Sequence, residues 1–127
     1  MKLSLRYNLP FLTVVVGYQG KEATIAHVLV DTGSASTILA ADAVATIGLS
    51  QAPTDKLYAI GGIGGSEFVF GRQVDFLEVE TRRLTDFVIE VGGMDYGFGI
   101  NGILGMDFLT RAGALINLRE LQIEFVC

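Results

Sequence analysis

Cysteine is almost missing from this chain: its one thiol, Cys127, stands at the last position, so no disulfide can close within the chain and no thiolate set can hold a metal. That scarcity points to a reducing compartment, and a cytoplasmic protein is expected. Histidine is as scarce. His27 is the sole one and has no Ser-Asp partner at a readable spacing, so triad and metal readings are poor and a structural or partly exposed histidine is expected. Charge is thin at 18% of residues, and the nine basic residues form no cluster within a net charge of −5. A nucleic-acid partner or an anionic membrane surface is therefore not expected. Long apolar runs are lacking as well. The opening MKLSLRYNLPFLTVVVGYQG is broken by Arg6, Asn8 and Pro10, which denies it the continuous apolar region of a secretory signal. No run is long enough to cross a bilayer.

Apolar residues are abundant, at half of the 127, and there are 16 glycines. A chain of this size forms one domain, read here as residues 1–127, and can bury roughly two-thirds of its unfolded surface without disulfides or metals. With so little polar cover, one face is expected to be buried against a partner. Strand signals dominate. FLTVVVGY and ATIAHVLV flank the turn Gln19-Gly20-Lys21 as a hairpin, and LYAIGGIGGSEFVF reads as two arms around a glycine-rich tip. RQVDFLEVE and LTDFVIEV alternate about a polar turn at Thr81-Arg82-Arg83, and ALINLRELQIEFV gives two strands about Arg119-Glu120. Two short helices are predicted, one in ADAVATIGL ending near Gly48, the other in MDFLTRA stopped by Gly113 in a left-handed conformation. The fold class is all-β, with one or two short helices.

Within this pattern HVLVDTGSAST, from His27 to Thr37, is unusual. An apolar strand runs straight into Asp31, and a carboxylate at the end of a buried strand is costly unless something pairs with it or uses it. Asp-Thr-Gly alone is weak evidence, because all three are ordinary turn formers and the segment could be a plain corner. Three features in order change the balance. The strand leads directly into the acid; a glycine-rich hairpin tip at positions 61 to 65 leaves backbone N–H groups open to a ligand; and Ile103-Leu104-Gly105 ends in a glycine that lets one backbone pass close beneath another.

In this order the chain, from about Phe11 to Phe125, resembles the retropepsin-like aspartic proteases, with AIGGIGG similar to a retroviral flap tip and ILGMDFL similar to the retrotransposon and cellular segment before the short helix. The resemblance implies a closed β-barrel or sandwich of hairpins carrying a flap. It also implies an aspartic endopeptidase in which two carboxylates share a proton across a water. Only one DTG is present, and Asp42, Asp55, Asp75, Asp86, Asp95 and Asp107 are not followed by Thr/Ser-Gly. The family's chemistry then calls for a homodimer in which Asp31 meets its copy on a two-fold axis.

By the same resemblance Asp31, Thr32 and Gly33 form the catalytic loop, Thr32 tying the two loops together and Gly33 admitting substrate. Ser34 is expected to donate to the outer oxygen of Asp31. Ile60, Gly61, Gly62, Ile63 and Gly64 would close over a peptide or protein substrate, with Tyr96, Phe98 and Ile100 as pocket walls and Ile103, Leu104 and Gly105 as the structural motif. No metal or other cofactor is implied. Retroviral members usually brace this loop with an Arg-Asp ion pair, but Met106 and Ala35/Ser36 occupy those places, so that brace is expected to be missing.

Rival readings keep the fold without the chemistry, as a catalytically silent dimerisation or peptide-binding module, or take the chain as half of a two-lobed enzyme. Gly97 to Gly102 spells GxGxxG, yet hairpins surround it rather than the strand, long helix and parallel sheet of a dinucleotide site. Tyr58 either packs on the cleft or stiffens its strand. Arg82 and Arg83 are read as a solvated turn, and Leu3, Leu5 and Tyr7 as a loose terminus or an interface strand shared with Leu121 to Val126.

Overall fold

The structure, a computed structural model, describes residues 1–62, 65–94 and 99–126, with side chains undescribed over 60–62 and 65–67. Ten strands and two short helices follow in chain order: β1 (Ser4–Arg6), β2 (Leu9–Tyr18), β3 (Lys21–Val30), β4 (Ile38–Ala40), α1 (Ala41–Ala45), β5 (Tyr58–Gly62), β6 (Gly65–Val79), β7 (Arg82–Gly92), β8 (Gly102–Leu104), α2 (Met106–Ala112), β9 (Ala114–Asn117) and β10 (Gln122–Phe125).

The β-branched runs form the long strands because their alternating side chains fill two different surfaces. Eight strands make one sheet in the order β1-β2-β3-β8-β4-β7-β6-β5, and a further pairing of β2 with β6 closes the ring from β2 round to β6. Val15 faces Glu78 and Gly17 faces Phe76 across that closure. The barrel interior holds the main core, including Val14, Val16, Val28, Leu39, Leu77, Ile89, Leu104 and Phe108. Phe108 of α2 plugs one end, edge-on to Phe87 at 5.7 Å and to Phe125 at 6.3 Å. Gly113 then stops α2 with φ 71°, a left-handed turn that glycine adopts without a Cβ penalty.

Sequence and structure part in several places. The second arm of the glycine-rich hairpin and the following strand are one continuous β6, which pairs with β5 at one end and β7 along its length. Arg82 and Arg83 belong to β7 rather than to the turn. Arg83 lies flat over Phe76 with its guanidinium 3.7 Å from the ring centre, and its Nε donates to Glu78. That cation-π contact and ion pair settle it on the sheet, where its side chain stays exposed to solvent as expected. The first residues are not loose. Lys2 bridges to Gln122, Leu3 N–H donates to Leu121 O at 2.8 Å, and Leu3 is buried, so this edge is paired within the chain.

His27 lies at a register shift between β2 and β3, exposed and with φ 60°. A bulge accounts for it structurally. Among the described residues no helix is long and apolar enough to cross a membrane.

Truncating Phe108 to alanine is expected to cost about 3–5 kcal/mol by emptying the barrel end. Phe68→Ala, at a position 66% exposed, should stay within about 0.5 kcal/mol. Urea unfolding of the two variants checks the contrast.

Candidate active site

Asp31 leaves the barrel at the end of β3. Val28, Leu29 and Val30 are buried and run parallel to β8, and the last link of that ladder is Asp31 N–H donating to Leu104 O at 3.0 Å. The chain then turns sharply. Ser34 N–H donates to Asp31 O at 3.2 Å, and Gly33 N–H donates to Asp31 Oδ1 at 2.8 Å, which fixes the carboxylate's orientation. A Cβ on Gly33 would lie 3.1 Å from that same oxygen, so glycine keeps the approach to the acid open. Asp31 is half-buried while Thr32 and Gly33 are exposed. A loop rigid at its base thus presents its acid outward.

Ser34 does not serve that acid as expected. Its hydroxyl donates to Ser36 O at 2.8 Å, because the turn brings a backbone acceptor closer than the carboxylate. Its carbonyl in turn accepts from Met106 N–H at 2.8 Å, and Ala35 O accepts from Asp107 N–H at 3.2 Å. The loop is therefore stitched to the start of α2 by backbone bonds.

A side-chain brace completes the stitching. Asp107 accepts from the Thr37 hydroxyl at 2.8 Å through Oδ1 and from Thr37 N–H at 3.1 Å through Oδ2, while Phe108 N–H also donates to Oδ1 at 2.7 Å. The buried Thr37 hydroxyl oxygen accepts Gly105 N–H at 3.0 Å. The Arg-Asp ion pair is absent at Met106 and Ala35, as the sequence implies, but the loop is not left unbraced. Asp107, an acid with no Thr/Ser-Gly after it, braces the loop through neutral donors. The signal that could have found it is a carboxylate two positions after the ILG glycine together with a threonine six positions after Asp31. Gly105 itself lies so close to Ser36 O that a Cβ would collide with that carbonyl. This is the close backbone passage expected of Ile103-Leu104-Gly105.

Beside the loop lies a second apolar cluster, separate from the main core: Phe11, Leu29, Ile38, Val69, Ile100 and Ile103, with Leu9 and Met94 against it. Ile100, one of the expected wall residues, is buried in this cluster. Tyr96 and Phe98 lie outside the described residues, as do Ile63 and Gly64 of the flap. The arms of the glycine-rich hairpin, β5 and β6, are placed by backbone pairing: Ile60 faces Glu67, Gly61 faces Ser66 and Gly62 faces Gly65. At the start of β5 Tyr58 lies beside the Glu90 carboxylate; burial, followed by interaction with that carboxylate and its negative charge, raises the tyrosine's pKa above its ordinary value.

Asn101, inside the GxGxxG-like run, also has a structural role. Its side-chain amide donates to Ala26 O at 2.9 Å and its backbone N–H to His27 O at 3.0 Å, while its carbonyl accepts from Ala40 N–H at 2.9 Å. It pins the entry to β8 between β3 and β4. Among the described residues no group of His, Cys, Asp and Glu is placed to hold a metal ion.

Asp107→Ala should lower stability by about 2–4 kcal/mol, since it strands the Thr37 and Phe108 donors. Thr37→Val should cost about 1–3 kcal/mol by leaving the buried Gly105 N–H unsatisfied and removing one of the two donors to Asp107 Oδ1. Thermal melts of both, with Thr37→Ser as the variant that restores the hydroxyl, test the brace.

Comparison with curated proteins finds no match. A family of aspartyl proteases, by contrast, matches residues 14–108, a span that runs from β2 through the DTG loop and the β5–β6 hairpin to Phe108 of α2. The chain belongs to the retropepsin-like aspartyl protease family.

Proposed function

We propose that two copies of this chain form one aspartic endopeptidase, with Asp31 of each protomer meeting on a two-fold axis. The observation that carries this reading is a single Asp-Thr-Gly loop, braced beneath by Thr37 and Asp107, that turns its exposed Thr32 and Gly33 outward. A dyad needs two carboxylates, and a chain with one DTG obtains the second from its copy.

In the dimer one carboxylate is ionised and the other protonated. The ionised one takes a proton from the bound water as its oxygen forms a bond to the scissile carbonyl carbon. The protonated one gives its proton to the carbonyl oxygen. Collapse of the resulting gem-diol breaks the C–N bond: the carboxyl that took the water's proton gives it to the leaving amine, and the other carboxylate takes a hydroxyl proton from the gem-diol, which restores one ionised and one protonated acid. Thr32 links the two loops across the axis, and Gly33 lets the peptide approach. The β5–β6 hairpin closes over the peptide and excludes water. Ile100, Ile103, Leu29 and Ile38 supply an apolar wall, which favours apolar side chains near the cut. A reducing, cytoplasmic setting fits a chain with one cysteine.

Asp31→Asn is expected to lower peptide turnover by on the order of 10^2–10^4-fold, with the dimer still present by analytical ultracentrifugation. Equal turnover by the variant would overturn the reading; binding without turnover in the wild type would make the chain a peptide-binding module. Because the chemistry requires one ionised and one protonated carboxylate, the rate should fall on both the acidic and the neutral side of an optimum. Turnover per chain should also drop on dilution as the dimer separates. A dilution-independent rate would rule out the shared site.

A further inference from the structure

One row of directly paired residues crosses the cleft-side face of the sheet. Phe11 faces Leu29, Leu29 faces Ile103, Ile103 faces Ile38, Ile38 faces Glu90, and Glu90 faces Gly71. Paired residues project from the same face, and the four residues from Phe11 to Ile38 all belong to the apolar cluster beside Asp31. The row then meets a carboxylate. Glu90 is only 9% exposed, and its Oε2 is buried without a hydrogen-bond donor. The Tyr58 hydroxyl stands beside it, close enough for the Glu90 carboxylate to raise the tyrosine's pKa, and reaches over β6 at Gly71, where a Cβ would lie 3.9 Å from the phenolic oxygen.

Leaving a carboxylate oxygen unpaired in an apolar wall costs stability. A leucine or methionine would continue the wall at no such cost, so the position calls for a donor that arrives from outside. Tyr58 is its cover: it sits at the root of the flap and is 44% exposed, so it can turn aside. β7 lies three strand spacings from β3, roughly 14 Å, a distance that an extended peptide covers in about four residues.

We infer that Glu90, gated by Tyr58, is a specificity-determining subsite for a basic substrate side chain, lysine or arginine, about three or four residues from the scissile bond. This rests on the peptidase reading above. The incoming cation donates to Oε2 while Tyr58 keeps the other oxygen, and the apolar row carries the stem of the side chain. The two-fold axis places a second Glu90 on the other side of the cut, so a basic residue is accepted on either flank. The chain's net charge of −5 favours the approach of cationic peptides.

The test uses the Asp31→Asn protein, which holds peptides without cutting them, and fluorescence anisotropy with paired peptides in which lysine or norleucine is scanned through the flanking positions. At one or two positions lysine should bind about tenfold or more tighter than norleucine. Adding Glu90→Gln or Glu90→Leu should bring that ratio to about one, a change that a merely structural role would not produce. Glu90→Leu removes an unpaired buried charge and should melt no lower than its parent, so lost preference cannot be put down to unfolding. Equal affinity for the two peptides at every position, or a preference that survives Glu90→Leu, overturns this inference and leaves the peptidase reading standing. No binding of either peptide, with no cleavage by the wild type, overturns both.

Discussion

The site depends on a single constraint: a loop carrying a carboxylate must be held still from below while it stays open above. The Asp107 carboxylate meets it by gathering the Thr37 hydroxyl, Thr37 N–H and Phe108 N–H, and the Thr37 hydroxyl passes the connection on to Gly105 N–H. Each donor is a backbone or hydroxyl group that would otherwise be buried and unpaired, so the brace satisfies the fold and aims Asp31 at the same time. An ion pair is not required for this. The half-buried Asp107 carboxylate is held by three neutral donors, and no second charge has to be desolvated.

That brace also explains how the barrel serves two surfaces. β3, β8 and β4 pass side by side beneath the loop, β3 and β8 parallel and β8 and β4 antiparallel. Residues alternate between the main core and the cleft-side cluster: Val28 and Val30 point to the first, Leu29 to the second. The same strands that seal the interior therefore form the floor and wall beside the acid. A change in register by one residue would exchange the two sets. Glu90, paired with Ile38, falls on the face of the second cluster rather than in the main core.

Much of the architecture was legible along the chain. The hairpins, the DTG turn, the stop of α2 at Gly113 and the close passage at Gly105 follow from alternation, turn chemistry and the absence of a Cβ, all of which act over a few residues. Arg83 was not legible as a sheet residue, because its stacking on Phe76 belongs to the partner strand. Ser34 was assigned the wrong acceptor for a similar reason: which of two nearby oxygens a hydroxyl reaches depends on the exact fold of the turn.

The sequence by itself determined which segments could be strands, where the acid stands and that each chain has one DTG. Tertiary structure alone decided that Asp107 answers Thr37 from 70 residues away, that Asn101 pins β8, and that Glu90 is buried under Tyr58. Periodicity assigns a side chain to one of two faces, but only the closed sheet says which face is core and which is cleft. Partners distant along the chain are chosen by that closure, through the geometry of strand pairing, and no local pattern carries it.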